Sequence, residues 1–267
     1  GTLLMSTLTG RGLSARPGMT VRGLREKVMA GWNAGKRDAE TARELVRYIL
    51  QTASQVERNE VNIALSGGST PALMFDIWAD EFAAQTPWQR LRLWWVDERC
   101  VSPDHPESNY GMTREHLLSK VPLEEGQVFR IHGENAPEAE AARYAALVKE
   151  QLPGSSDGYP IFDLVQLGAG DDGHTSSIFP GQEQLLTIPA TYAVGTHPTT
   201  GQKRVALTGQ PIIRASHVAF LMTGSAKAPI LHDLCSEVDT GPAAYVAHHA
   251  LNDVRVFADA AAGSLVG

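Results

Sequence analysis

Along the chain, compact apolar runs alternate with longer stretches in which apolar residues recur every three or four positions. From Asp38 onward, Ala42, Leu45, Val46 and Ile49 fall at that spacing, which predicts a helix over 38–54 with one face on a sheet. Val61-Asn62-Ile63-Ala64-Leu65 reads as a buried strand, and a helix-like segment over 72–84 comes next. The same reading predicts strands over 91–96, 128–131, 192–195, 204–208, 217–222 and 254–257, and one that starts at Phe162 and ends at Leu167. Further helices are expected over 110–119, over 137–151 with Ala142, Ala145 and Ala146 on one side, and from Ser225 to near Ser236. The Pro/Gly/Ser loop over 152–159 is too short to be a linker between domains.

Strands that alternate with helices predict an α/β fold, a doubly wound and mostly parallel sheet with helices on both faces. A single domain over 26–267 accounts for the pattern. Residues 1–25 stand apart, with Arg11, Arg16, Arg22 and Arg25, no acidic residue, and Ser and Thr throughout. That composition suggests a transit peptide or a disordered N-terminal extension. The plainer expectation is that the first residues, from Gly1, are not native and that Met5 or Met19 is the natural start.

Composition narrows the function. The chain has 267 residues, 43% hydrophobic and 20% charged, ordinary for a globular protein with a sizeable core. Its net charge of −7 and the lack of a Lys/Arg cluster argue against a nucleic-acid partner, so a bound anion must be met by a local positive site. No apolar run reaches the roughly 18 residues of a membrane span, and a soluble protein without a membrane partner is expected. Cys100 and Cys235 form no CxxC, so a reduced, cytoplasmic compartment is the default, and Cys100 is set aside as a nucleophile. His248 and His249 have no neighbours at metal-ligand spacing, so neither a metal nor another cofactor is expected.

The candidate chemistry sits at strand ends. After Leu65 comes Ser66-Gly67-Gly68-Ser69-Thr70-Pro71, where Thr70 is the expected helix cap and Pro71 suits the first turn. Strand, glycine loop and helix start make an anion site of free N–H groups and helix dipole, to which the hydroxyls of Ser66, Ser69 and Thr70 add donors. The pattern is neither GxxxxGK[ST] nor GxGxxG, so no nucleotide is implied. The strand over 91–96 ends in Asp97-Glu98-Arg99, followed by a loop to Ser108-Asn109-Tyr110. Three successive charges are costly if buried, so the triplet is either a solvated strand end or functional. The strand ending at Leu167 runs into a glycine loop with Asp171, Asp172 and His174, and His174 is the first candidate for acid–base chemistry. Lys227, just after Thr223-Gly224-Ser225, is either a fourth contribution or a plain surface lysine.

LSGGSTP at 65–71, WVDER at 95–99, SNY at 108–110 and GDDGHTSSIFPG at 170–181 resemble, in order, the 6-phosphogluconolactonase family over about residues 38–258. The resemblance implies the three-layer α/β sandwich shared with glucosamine-6-phosphate deaminases and ribose-5-phosphate isomerases. It also implies a cytosolic, cofactor-independent hydrolase of the oxidative pentose phosphate pathway, working as a monomer or weak homo-oligomer on a small sugar phosphate. Its reaction would open 6-phospho-D-glucono-1,5-lactone to 6-phosphogluconate. His174 would be base and then acid; Asp97, with Asp172 as the alternative, would orient the histidine, the water or the sugar hydroxyls. The 6-phosphate would sit on Ser66, Gly67, Gly68, Ser69 and Thr70 with Lys227 and either Arg99 or Arg204, with Asn109 completing the binding set. Gln166 stands where the family usually has an aliphatic residue, Ser176 where it has alanine, and Gly209-Gln210 interrupts a segment usually more apolar. The rival deaminases follow their histidine five residues later with a glutamate, where this chain has Phe179. A non-catalytic sugar-phosphate sensor would need a helix-turn-helix, which the pattern does not offer.

Overall fold

The computed structural model describes residues 6–9, 12–15 and 37–266. Of the expected N-terminal extension it covers β1 (Ser6–Thr9) and β2 (Gly12–Ala15), an antiparallel pair. Gly1, Met5, Met19 and the four arginines lie outside the described residues. The chain continues through α1 (Asp38–Gln55), β3 (Val61–Leu65), α2 (Ser69–Glu81), β4 (Leu91–Trp95), β5 (Asp97–Arg99) and α3 (Asn109–His116). Next come α4 (Pro137–Gln151), β6 (Leu164–Leu167), β7 (Tyr192–Thr196), β8 (Lys203–Leu207) and α5 (Gly209–Arg214). The last elements are β9 (His217–Met222), α6 (Ala228–Leu234), α7 (Pro242–His249) and β10 (Asp253–Ala258).

The main sheet is parallel throughout, in the order β4-β3-β6-β9-β10. Alternation along β3 explains why both faces need helices: Val61, Ile63 and Leu65 join one core and Ala64 the other. On the first face the α1 stripe of Ala42, Leu45, Val46 and Ile49 is wholly buried with Met74, Phe75 and Trp78 of α2. Tyr144 and Val148 of α4, Leu231 of α6 and Val246 of α7 cover the other. Within this sheet the chain starts at β3, steps outward to the edge strand β4, then returns across β3 to β6 and runs on to β9 and β10. The reversal between β3 and β6 opens a crevice beyond their carboxyl ends, where such sheets bind ligands.

Three expectations change. Asp97-Glu98-Arg99 is not a solvated strand end but a strand of a second, antiparallel sheet, β5-β8-β7, with Asp97 and Glu98 buried. The segment 128–131 is no strand: it makes one bridge, Val128 to Leu93, and the Phe129 carbonyl accepts from the Tyr144 hydroxyl at 2.6 Å instead of from a ladder. Its apolar residues are there for side-chain packing, with Phe129 stacked on Trp94 at 4.2 Å. Finally, α2 begins at Ser69, so Thr70 lies within its first turn and Gly68 is the cap, at φ 117°, a value that glycine adopts without strain. Among the described residues no helix is long and apolar enough to cross a membrane.

Candidate active site

The crevice at the β3/β6 reversal is a cleft of about 230 Å³. The Ser66–Thr70 loop, Asp97, Arg99, Asn109, His174, Arg204 and Lys227 all line it, so the structure brings together every expected site residue except Asp172, which is exposed outside the lining and reaches the cleft through its contact with His174.

His174 is placed by the turn that follows β6. Gly170 N donates to His174 O at 2.8 Å and Gly173 N to Gly170 O at 2.9 Å, with Gly173 at φ 90°. The imidazole lies over Gly170, where a Cβ would meet Nδ1 at 2.1 Å, so only glycine leaves room for it. Asp172 accepts from His174 N at 3.0 Å and faces Nδ1 of the same residue at 2.6 Å. Burial pushes the Asp172 carboxyl up, but these two hydrogen bonds outweigh it and hold the group below the usual carboxylate range. An ionised carboxylate only accepts, so Nδ1 carries the hydrogen and Nε2 the lone pair. The buried ring of Phe179 backs the imidazole at 4.7 Å.

The carboxylate on the imidazole is Asp172, while Asp97 Oδ2 accepts from the buried Ser177 hydroxyl at 2.6 Å. Asn109 Nδ2 donates to the Asp97 carbonyl at 3.0 Å and lies 3.5 Å from Oδ1. On its other side the Asn109 Oδ1 fills the space that a Cβ on Gly67 would need, at 2.0 Å from that position. Gly67 is thus required by close approach.

The glycine loop is anchored from below. Ser66 N donates to Gln166 Oε1 at 2.9 Å, and Ser66 Oγ to the Gln166 carbonyl at 2.6 Å. Thr70 Oγ1 lies 3.0 Å from Thr223 Oγ1, tying this loop to the one that ends β9. Ala72 N is the first to bond back along α2, to Gly68 O at 3.0 Å, so the helix presents its first-turn N–H groups at the cleft.

The cations form a distinct group. Arg99 and Arg204 are direct partners across β5 and β8. Among the described residues neither makes an ion pair. Arg99 Nη1 donates to the Glu107 carbonyl at 2.8 Å, and its buried Nε has no partner. Arg204 Nε donates to Gln202 Oε1 at 3.2 Å, and its guanidinium lies over Phe179 at 5.5 Å. Burial, and then the neighbouring Arg99 charge, lower the Arg204 pKa. Two half-desolvated like charges side by side are what an anion relieves. Lys227 Nζ donates to Asp171 Oδ1 at 3.0 Å at the exposed rim.

Several residues that support or line the site are not among those expected to bind or react. Glu98 accepts from Arg99 N, Ser108 Oγ, Asn109 N and Tyr110 N at 2.7–3.0 Å, and so fixes the start of α3. The charge triplet beside a Ser-Asn-Tyr helix start carried that signal, since a carboxylate satisfies first-turn N–H groups. Asp259 accepts from Gly224 N at 3.1 Å and Ala262 N at 2.9 Å, holding the Lys227 loop, and nothing in its sequence setting announced it. Ser176, which lines the cleft, sits at φ 56° with Oγ donating to Leu207 O at 2.9 Å. Burial, with Glu98 nearby, pushes the Cys100 thiol up to about 11, which leaves no thiolate at neutral pH. Among the described residues no group of His, Cys, Asp and Glu gathers as a metal site would.

A sequence profile of the family described as glucosamine-6-phosphate isomerases/6-phosphogluconolactonase matches residues 36–256. The 6-phosphogluconolactonase of Treponema pallidum is 41% identical over 213 residues, covering 79% of this chain and 86% of its own length. That of Haemophilus influenzae is 38% identical over 188 residues, covering 68% and 75%. Among solved structures, 6-phosphogluconolactonase from Trypanosoma brucei superposes with a TM-score of 0.78 at 30% identity, over 87% of this chain and 97% of that one. A monomeric glucosamine-6-phosphate deaminase shares the fold at 22% identity and a TM-score of 0.70, over 86% and 97%.

Proposed function

The chain belongs to the glucosamine-6-phosphate isomerase/6-phosphogluconolactonase family, and from that premise we propose that its cleft hydrolyses 6-phosphogluconolactone to 6-phosphogluconate with a water activated by His174. His174 Nε2 takes a proton from the water as its oxygen attacks the lactone carbonyl carbon, and the positive field of the cleft stabilises the tetrahedral oxyanion. The same nitrogen then returns the proton to the ring oxygen as the C–O bond breaks. Asp172 holds the ring in the tautomer that starts this cycle and balances the imidazolium that forms midway. The phosphate sits on the Ser66–Thr70 N–H groups between Arg99 and Arg204, with Lys227 turning from Asp171 to reach it. Asp97, its Oδ2 occupied by Ser177, uses Oδ1 to orient the water or a sugar hydroxyl.

The observation that carries this reading is the 2.6 Å Asp172–His174 contact at the cleft, which also holds two arginines that make no ion pair among the described residues. The test is lactone hydrolysis above the spontaneous rate. His174→Ala is expected to fold and to lose about 10²- to 10⁴-fold in rate, and retention of more than about half the rate would remove His174 from the role of base. Wild-type enzyme should strongly prefer the phosphorylated lactone over gluconolactone; equal turnover would refute the phosphate site. Phe179, 1% exposed, occupies the position at which the deaminases carry their glutamate, so no ammonia release from glucosamine 6-phosphate is expected. We further propose, as the family resemblance implies, a cytoplasmic enzyme working as a monomer or weak homo-oligomer.

A further inference from the structure

Gln166 is the one polar side chain of β6, and it is completely buried in the middle of the main sheet. Its register partner in β9 is Ala219, and Leu164, the β6 residue on the same side, packs into the α1/α2 core. An amide in such a layer must have both its ends satisfied to be harmless. Only one is: Oε1 accepts from Ser66 N at 2.9 Å, while Nε2 is buried with no partner. An orphaned donor costs about as much as the hydrogen bond on the other end contributes. An aliphatic side chain of the same size would leave one orphan too, the Ser66 N–H, and would bury more apolar surface. Stability therefore gives no account of a glutamine here.

The position of Ser66 does. Residue 166 grips Ser66 twice, by its side chain at the amide and by its carbonyl at the hydroxyl, which donates at 2.6 Å. Ser66 is the first residue of the anion loop, and the next two, Gly67 and Gly68, have no side chains with which to fix their own peptide planes. The direction of the loop N–H groups is thus set at its entry by Gln166, at its far end by the Thr70–Thr223 contact, and midway by Asn109 against Gly67.

We propose that Gln166 is a positioning residue that, through Ser66, aims the loop N–H groups at the substrate phosphate and so sets affinity and selectivity for the phosphorylated lactone. The inference rests on the phosphate reading above. It is tested with Gln166→Met, unbranched and nearly isosteric, and with Gln166→Leu, each assayed on 6-phosphogluconolactone and on gluconolactone and melted thermally. The expected result is an unchanged or higher melting temperature, a KM for the phosphorylated lactone raised about three- to tenfold, as for one lost hydrogen bond, and kcat within about twofold. Turnover of gluconolactone should not move, so selectivity falls by the same factor. Wild-type KM and selectivity in both variants would overturn the proposal, as would an equal loss on both substrates or a failure to fold, either of which makes Gln166 a structural residue. A wild-type enzyme indifferent to the phosphate would instead overturn the phosphate reading, so the two failures are distinguishable.

Discussion

Which nitrogen of His174 carries the hydrogen decides what the ring can do, and Asp172 decides the nitrogen. Asp172→Asn tests this, because an amide can turn either its oxygen or its NH₂ to Nδ1, and the second choice puts the hydrogen on Nε2, where it blocks the base. We expect kcat/KM to fall about 10²- to 10⁴-fold. Asp97→Asn separates the other carboxylate: it can still accept from Ser177, whose hydroxyl it meets at 2.6 Å, and it leaves the imidazole alone. Its kcat/KM should drop by at least about tenfold but less than that of Asp172→Asn; a loss in Asp97→Asn that exceeds the loss in Asp172→Asn would reverse the two roles. The place of His174 in the cleft was legible from a histidine beyond a strand and three glycines. Which acid served it was not, because that choice depends on the fold of a turn in which Gly170 makes room for the imidazole, and a row of residue types does not give that angle.

Each loop of the site hangs on a polar side chain from behind: Ser66 on Gln166, the start of α3 on Glu98, Gly224 on Asp259. Loops that must offer free N–H groups to a ligand cannot be held by those same groups, so other contacts have to fix them. Glu98 shows what this takes. Burial pushes its carboxyl up, against the pull of hydrogen bonds from Tyr110 N, Asn109 N, Ser108 Oγ and Arg99 N. Glu98→Gln keeps the shape but has one acceptor oxygen for those donors and adds two donors of its own. It should cost about 1–3 kcal/mol in urea unfolding and raise KM, since Asn109 shifts against Gly67; unchanged stability would show that water replaces the missing acceptor. Local reading found the loops because glycines and polar residues at strand ends are local. It missed Asp259, which lies 35 residues from the Gly224 it holds, and it took Thr70 for the cap because the positive φ of Gly68 lets the helix start two residues earlier.

At the scale of the molecule, the parallel sheet was legible because its strands are compact apolar runs set between helical patterns, and the order of runs already placed their carboxyl ends together. The small antiparallel sheet was not. Asp97-Glu98-Arg99 carries no strand pattern, and it pairs with β8 only because the chain bends after Val96, whose N–H donates to Leu65 O at 2.9 Å and whose carbonyl accepts from Leu207 N at 2.7 Å. Pairing over about a hundred residues builds the wall that carries Arg99 and Arg204. Carboxylates paired at and below the surface of this fold give the last prediction. In Asp76, Glu140, Asp239 and Asp253 burial pushes the carboxyl up, but hydrogen bonds from His116 and Lys120, from Arg143, from His249 and His248, and from His217 and Tyr48 outweigh it and leave each pKa below its ordinary value. A carboxyl whose folded pKa is depressed contributes stability that is fully present above its unfolded value, 3.8 for Asp and 4.5 for Glu, and is lost as pH falls through the folded value. Glu98, raised by burial, acts in the opposite sense and gains as pH falls, one group against several. Most of these pairs are partly exposed, so each contributes little alone and salt weakens it. The melting temperature should therefore fall progressively below about pH 4.5, and fall less steeply in added salt. Calorimetry at pH 6, 5, 4 and 3 in low salt checks it, and a melting temperature that holds to pH 3 would mean that the surface pairs do not outweigh Glu98.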